Sequence, residues 1–598
     1  MQALLQAVIP SAGHWWESAS TVHKGNHMAH WTAADLETFV AFLRLVEYRL
    51  VQGALIGVAL VGLVLLVRAW PRFQRSAGTD RWLLFGALVA SVLLRGLWAE
   101  PVMIHENYCG VGRLACAAAP PCITLTGNHG VASFAGYNLI MGLTGGADAG
   151  TQAANVVLMG VVQLLLLFAL VRDATGSPRA GALAAWALAL MPVHIRMSPT
   201  ESFFPLALTL LMGSVFFLRA LAARPDLPRA LMVGVLVALT VQTSKAYNLH
   251  AAFGLGIYLL ALASGGRVRF RALVAAAGVF AILTVGHYVR AFSGSLSAGG
   301  YLPGTLREYW GAMTANNLFF DSGLTPLIFI LAWPIGGLLT LLRGPRNGGW
   351  DHLLLFLGLG LVFTMSDPLN VFWPTRIRMQ MNLAPFVAAM AGVALHAASR
   401  RPVGRLVMAG LVVASLWQVP AHTAVVREVF VPALEARYLA RTIPSLPPMD
   451  VLVTVDHTLP IDADRRRGDP VETHFPLHTL RYHQGQPVER VRLGQLLQEP
   501  ERYRGRKMMF YLSTTASARL PEEIAQSGLS EGLRPAVIAA LDEFVLTPIE
   551  GTMDSIPMVN PDRVRNHFFG DEIPVGFSWL EFKASKPAAG DDPPGPGS

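Results

Sequence analysis

From about residue 51 the chain alternates apolar runs with short polar turns. The runs fall at about 51–69, 82–98, 153–171, 180–195, 202–221, 230–244, 248–264, 272–289, 325–342, 352–365, 382–398 and 406–421. An α-helix needs ~20 apolar residues to cross a bilayer, so this pattern predicts about 12 transmembrane helices, with the shortest runs as candidates for re-entrant segments. Residues 1–50 form a more polar, amphipathic lead-in. Thr32-Ala33-Ala34-Asp35 resembles a helix start, and Leu36, Phe39, Val40, Leu43 and Val46 recur at helical spacing, which predicts an interfacial helix running into the first span. After about His422 the period changes. Short apolar strands at Val451–Val455 and Met508–Leu512 alternate with helical patterns at about 491–504 and 520–543, as in a small α/β domain over 422–585. Residues 586–598, rich in Pro, Gly and Asp, read as a disordered tail. The expected architecture is therefore a polytopic α-helical membrane protein, its transmembrane domain at 51–421 broken by a large loop at 99–152, with a C-terminal soluble α/β domain.

Composition supports the membrane reading. The 598 residues are 53% hydrophobic and 14% charged, and mean hydropathy is +0.44. A net charge of +8 would fit a nucleic-acid partner, but the arginines lie in short turns between apolar runs, where they face headgroups and cytoplasm. No nucleic acid is expected. Alternate turns hold Arg68, Arg72, Arg75 and Arg81, then Arg172 and Arg179, Arg219 to Arg229, Arg267 to Arg271, Arg343 and Arg346, and Arg400 to Arg405. The positive-inside rule makes these cytoplasmic. The 99–152 loop and everything beyond Pro420 then face outward, which in a bacterial inner membrane is the periplasm. Residues 1–10 carry no basic n-region, so no cleavable signal is expected there.

Candidate chemistry gathers on that outer side. The 99–152 loop holds His105-Glu106-Asn107-Tyr108-Cys109 and all three cysteines, of which Cys116 and Cys122 are the favoured disulfide pair across Pro120-Pro121. Glu201 opens a span, and Lys245, the single lysine between Lys24 and Lys507, follows another. Arg376 and Arg378 start a late one. Charges at span ends tend to mark function, although each alone also fits an interfacial residue whose charge reaches the headgroups. Together, two carboxylates and several cations offer a base for an acceptor proton and positive charge for a departing phosphate. His105, His129 and His194 are candidates to join Glu106 or Glu201 on a divalent metal, without helix-facing ligand spacing to support it. Arg95 reads as snorkelling, with a pair to Glu100 or Glu106 as the alternative.

In order, these motifs resemble the C-type glycosyltransferase superfamily, the polytopic enzymes that use polyprenyl-phosphate sugars, and especially its branch of protein O-mannosyltransferases and lipid A aminoarabinose transferases. Residues 105–108 occupy the place of the family's acidic first outer loop. Gly127-Asn128-His129-Gly130, followed by Phe134, Tyr137 and Leu139, stands where the family has a His-Pro-Pro-Leu-Tyr-like start to an amphipathic helix. Glu201 matches a second acid at the head of a span. Thr243-Ser244-Lys245 matches a Thr-Lys pair with one residue inserted, and Arg378 and Pro385 keep the spacing of a late Arg and Pro. The chain departs in having Glu where Asp is common and in lacking prolines after His129. The resemblance implies an inverting glycosyltransferase with Glu106 as catalytic base. Lys245 and Arg378, with Arg376, would hold donor phosphate, while Glu201, His129 and His105 line the substrate site. The partners it implies are a polyprenyl-phosphate sugar donor, a lipid, glycan or protein acceptor, and membrane lipids. Two rival readings share the pattern: a lipid or solute transporter or flippase, and an inactive membrane assembly protein of the same fold.

Overall fold

In the computed structural model the described residues are 33–76, 80–97, 131–144, 148–198, 204–243, 254–293, 325–343, 351–366, 380–428, 438–454 except 440, 482–512 except 485, 541–557 and 572–583. Helices dominate as far as residue 428. In chain order they are α1 (Ala33–Ser76), α2 (Asp80–Leu97), α3 (Val131–Thr144), α4 (Asp148–Val157), α5 (Gln163–Thr175), α6 (Pro178–Ala189), α7 (Pro192–Met197), α8 (Phe204–Ala223) and α9 (Leu227–Val241). Then follow α10 (Gly256–Ser264), α11 (Phe270–Ser293), α12 (Leu327–Arg343), α13 (Asp351–Ser366), α14 (Ala384–Ser399) and α15 (Pro402–Glu428). Where they are described, the apolar runs are mainly helical; the run 180–195 breaks at Leu190-Met191 between α6 and α7, and the start of the run 248–264 lies outside the described residues. Among the described residues four segments are long and apolar enough to cross a membrane by themselves: Val46–Arg68, Gln152–Thr175, Pro205–Ala223 and Met381–Ser399. The interfacial helix expected before residue 50 and the first apolar run form one unbroken helix, α1. Likewise α15 continues to Glu428, past the expected boundary at residue 421.

Burial separates the helices by their surroundings. Every residue of α14 from Ala384 to Leu395 is buried, whereas α1 leaves Leu60, Leu63 and Val67 more than half exposed. An apolar helix surface of that size suits lipid. The central helices are alanine- and glycine-rich, as in Gly181-Ala182-Leu183-Ala184-Ala185 of α6, and small residues let backbones approach closely. At Gly336 of α12 a Cβ would lie 1.8 Å from the Met390 carbonyl oxygen of α14, and at Gly392 of α14 it would lie 2.5 Å from the Ala184 Cβ. Neither position has room for a side chain.

The two ends of the bundle differ chemically. Arg219 pairs with Asp173, so the C-terminal ends of α5 and α8 meet. Arg179, Arg343, Arg400 and Asp80 all act electrostatically on His396 of α14, and Arg400 lies 3.2 Å from its Nε2. Arg179, Arg343 and Arg400, from three of the turns assigned to the cytoplasm, thus gather at one end.

Beyond residue 450 lies a six-stranded mixed sheet. Its strands are β1 (Val451–Thr454), β4 (Glu489–Arg492), β5 (Met508–Leu512), β6 (Phe544–Pro548), β7 (Asp554–Pro557) and β8 (Glu572–Phe582), while β2 (Tyr482–His483) and β3 (Gln486–Pro487) make a separate two-stranded pair. The order is β4-β1-β5-β8-β6, with β7 also on β8. Strands β4, β1 and β5 are parallel, and β8 is antiparallel to β5, β6 and β7. Alternation decides the two faces. Val451, Val453, Met508 and Phe510 join one core with Leu493 and Leu496 of the short helix α16 (Leu493–Gln498). Leu452, Met509 and Tyr511 join the other, with Tyr438, Leu446 and Phe577. A sheet buried on both faces explains why β1 and β5 read as continuous apolar runs.

Candidate functional site

The seven residues expected to bind or catalyse, His105, Glu106, His129, Glu201, Lys245, Arg376 and Arg378, lie outside the described residues, as do Cys109, Cys116 and Cys122. The residues leading into those segments are described, and they form two buried polar knots.

Arg95, near the end of α2, is fully buried. One terminal nitrogen donates to the Ser91 Oγ at 2.7 Å, the Ser91 carbonyl at 3.0 Å and the Ala189 carbonyl at 3.3 Å. The other donates to the Leu188 carbonyl at 3.4 Å and meets the His194 Nδ1. Leu188 and Ala189 end α6, where the last carbonyls of a helix lack their usual i+4 partner, so Arg95 caps α6 from a neighbouring helix, adding to the Met191 N–H that the Leu188 carbonyl already accepts at 3.4 Å. The expected snorkelling does not occur: carbonyls and an imidazole, within reach inside the bundle, hold the guanidinium away from the surface. No carboxylate among the described residues pairs with it.

The tautomer of His194 follows from its neighbours. A guanidinium only donates, so Nδ1 accepts and Nε2 carries the proton, donating to the Gln163 Oε1 at 2.9 Å. The Gln163 Nε2 then donates to the Pro205 carbonyl at 3.1 Å and the Thr209 Oγ at 3.0 Å. This relay ties α2, α5, α7 and α8. It passes the π-turn Leu158–Val162 between α4 and α5, where Gly160 makes room for Arg95: a Cβ there would lie 3.1 Å from the Arg95 Cδ. Because both ring nitrogens are engaged, His194 has none left for the metal role considered for it. Among the described residues no cluster of three or more His, Cys, Asp or Glu is arranged around a metal.

The second knot centres on Gln242, just past α9. Its Oε1 accepts from the Val131 N–H at 3.2 Å and its main-chain carbonyl accepts from the Ala132 N–H at 3.2 Å, so it caps the start of α3. The Gln242 Nε2 donates to the Glu47 Oε1 of α1 at 2.9 Å and to the Leu283 carbonyl of α11 at 2.5 Å. Gly286 leaves the space that the Glu47 carboxylate fills, since a Cβ there would lie 2.5 Å from it.

The first turn of α8 bonds to the first knot and packs on α3, the helix that the second knot caps. Pro205 accepts from Gln163, and Leu206 packs on Gly136 of α3, where a Cβ would come within 2.6 Å of the leucine Cδ2. The short helix before α14, Gln380–Leu383, packs near α7 and α8. Sequence reasoning missed Glu47, Gln163 and Gln242. Gln163 did carry a visible signal, a polar side chain inside the apolar run 153–171, where an unmatched polar group is costly.

No family model matches the sequence, and no curated protein does. Solved structures similar to the chain include ArnT from Cupriavidus metallidurans bound to undecaprenyl phosphate, at 12% identity, over 84% of this chain and 98% of that one, with a TM-score of 0.48. Another is the mycobacterial arabinofuranosyltransferase AftD, at 15% identity over 84% of this chain and 42% of that one, TM-score 0.43. A third is the oligosaccharyltransferase AglB from Archaeoglobus fulgidus in complex with an inhibitory peptide and a dolichol-phosphate, at 10% identity, TM-score 0.38. The match covers 64% of this chain and spans 62% of that one's length. These three belong to the C-type glycosyltransferase superfamily.

Proposed function

We propose that this chain is a membrane glycosyltransferase that moves a sugar from a polyprenyl-phosphate donor to a lipid, glycan or protein acceptor at the outer, periplasmic face of a bacterial inner membrane. One observation carries the reading: the described residues flanking the expected site segments meet in two buried polar knots. Arg95 precedes the loop of His105 and Glu106, and it bonds to His194, which lies in the helix before Glu201. Val131, just after His129, bonds to Gln242, just before Lys245. The first turn of α8, which follows Glu201, bonds to the first knot and packs on α3, which the second knot caps. The gathering of arginine-bearing turns around His396 supports the assignment of that end to the cytoplasm and of the knots to the outer side. In this reading all twelve apolar runs are membrane-embedded and the C-terminal sheet stands in the periplasm, where it contacts acceptor.

The chemistry is a single displacement. The acceptor hydroxyl attacks the anomeric carbon, Glu106 takes the hydroxyl proton, and the bond from that carbon to the phosphate oxygen breaks with its electrons leaving on polyprenyl phosphate. Attack opposite the leaving group inverts the anomeric centre. Lys245 and Arg378, with Arg376, offset the phosphate charge that develops. Glu201 orients acceptor or sugar, and His105 and His129 complete the substrate contacts. The test uses purified protein and a panel of polyprenyl-phosphate sugars. Wild type is expected to consume one donor, Lys245→Ala to do so more weakly, and Glu106→Gln to fall by at least about 100-fold, the scale of a lost general base. Equal turnover in all three, or solute uptake with no donor consumed, overturns the proposal.

A further inference from the structure

The C-terminal sheet carries a cleft of about 670 Å³ at the start of β5 and the end of β8, far in sequence from the two knots. Pro447, Pro448, Arg504, Lys507, Trp579 and Phe582 are among its lining residues. Its formation is set by the strands. Residues 504–507 turn into β5 through Gly505, whose φ of +77° favours glycine, and Met508 pairs with Leu580, placing Lys507 beside the end of β8.

Some of its cations are already fixed. The Nε of Arg504 donates to Glu501 at 2.8 Å and its guanidinium lies 5.0 Å from the Phe582 ring centre. Arg506 pairs with Glu489 and donates to the Asp450 carbonyl at 3.3 Å. These bonds hold two guanidinium planes in place. Other polar groups lining the cleft are uncommitted: the Lys507 ammonium, the Trp579 indole N–H and the Glu581 carboxylate make no hydrogen bond or ion pair among the described residues. A concave site with a few uncommitted polar groups beside aromatic surface has the make-up of a ligand pocket.

We infer that this cleft binds an anionic saccharide. The apolar face of a sugar ring stacks on Trp579, Lys507 at the strand end meets its carboxylate or phosphate, and Glu581 accepts from its hydroxyls. The mixture of charges decides the class. Arg504 and Arg506 are each paired with a glutamate, Glu501 and Glu489, so Lys507 is the cation left to attract an anion, and the Glu581 carboxylate at the wall repels a polyphosphate while suiting a hydroxylated ring. The site is independent of the transfer chemistry proposed above.

The test measures binding of the full-length, detergent-purified protein to tetragalacturonate, the matching neutral tetragalactoside, adenosine monophosphate and inorganic phosphate. Tetragalacturonate is expected to bind at least tenfold more tightly than the other three, and Lys507→Ala and Trp579→Ala to weaken it tenfold or more. Trp579→Phe, which keeps a ring and the fold, is expected to restore most of the affinity, and Glu106→Gln to bind as wild type. No tetragalacturonate binding, equal binding of the neutral sugar, equal binding of the nucleotide or phosphate, or indifference to Lys507→Ala each overturns the inference.

Discussion

Arg95 and His194, residues from two separate helices, meet side chain to side chain with neither exposing any surface. Among the described residues no carboxylate pairs with this guanidinium, and the acceptors around it hold it in the bundle. Removing it leaves the Ala189 carbonyl and the His194 Nδ1 without this donor, while the Leu188 carbonyl keeps only the Met191 N–H at 3.4 Å and the cap contact from the Leu190 N–H. Each lost partner costs about 1–3 kcal/mol. Arg95→Met is therefore expected to destabilise the bundle by about 3 kcal/mol or more. Arg95→Lys, with fewer donors and no fork, recovers only part. Thermal melting in detergent checks both.

His194→Phe fills the same space but offers neither the acceptor for Arg95 nor the donor for Gln163. The expected loss is about 1–3 kcal/mol, and the double variant with Gln163→Leu should lose less than the sum of the singles, since both act in one relay. A double-mutant cycle on melting measures the coupling. Strict additivity would show that the relay is not a unit.

Gly336→Ala places a methyl on the Met390 carbonyl oxygen, 1.8 Å away. Backbone cannot yield as a flexible side chain can, so α12 and α14 must separate, at a cost of about 1–3 kcal/mol or more. Gly62→Ala in α1, where a Cβ meets nothing within 4 Å, is the control and is expected to be neutral. Yield of monodisperse protein after extraction tells the two apart.

Glu489 is held below the usual glutamate range chiefly by its hydrogen bond from Arg506, with Arg502 adding charge. The sign follows directly. A depressed carboxyl contributes stability that is present above its unfolded value of about 4.3 and is lost as pH falls through the folded value. Stability of the C-terminal sheet should drop below about pH 4.5 in wild type, with a shallower slope in Glu489→Gln. The pair is partly exposed, so salt should weaken the effect. Melting of the sheet across that pH range, at two salt concentrations, is the measurement.

Orientation has its own check. Cys109, Cys116 and Cys122, reduced, should react with membrane-impermeant thiol reagents added from the periplasmic side, while a cysteine introduced as Arg400→Cys in a cysteine-free background should react only after the membrane is opened. The opposite result would swap inside and outside.

Hydropathy made the helices legible because burial in lipid and burial in protein both demand apolar residues. It could not show that α1 is continuous: from Leu36 through Val51 the helical period persists and no proline interrupts it, so the change in polarity at residue 50 changes the solvent and not the backbone. Arg95 was misread for a related reason. An arginine near a span end snorkels unless neighbouring helices bring acceptors, and those of Leu188, Ala189 and His194 are more than ninety positions away. In the sheet, β1 and β5 were visible as apolar runs, but a two-residue period is the same for parallel and antiparallel partners, so the strand order was not. Of the site, the sequence displayed the charges and their order. The buried amides that join their flanking segments, Gln163 and Gln242, carry no charge and drew less notice.

Strand β8 pairs with β5, β6 and β7, though it comes last of the eight described strands. During synthesis, β1, β4 and β5 therefore emerge with the open side of β5 lacking its partner. The sheet closes only when residues 572–582 arrive, so the order of the strands makes the last of them the one that shields the others from pairing with a stranger.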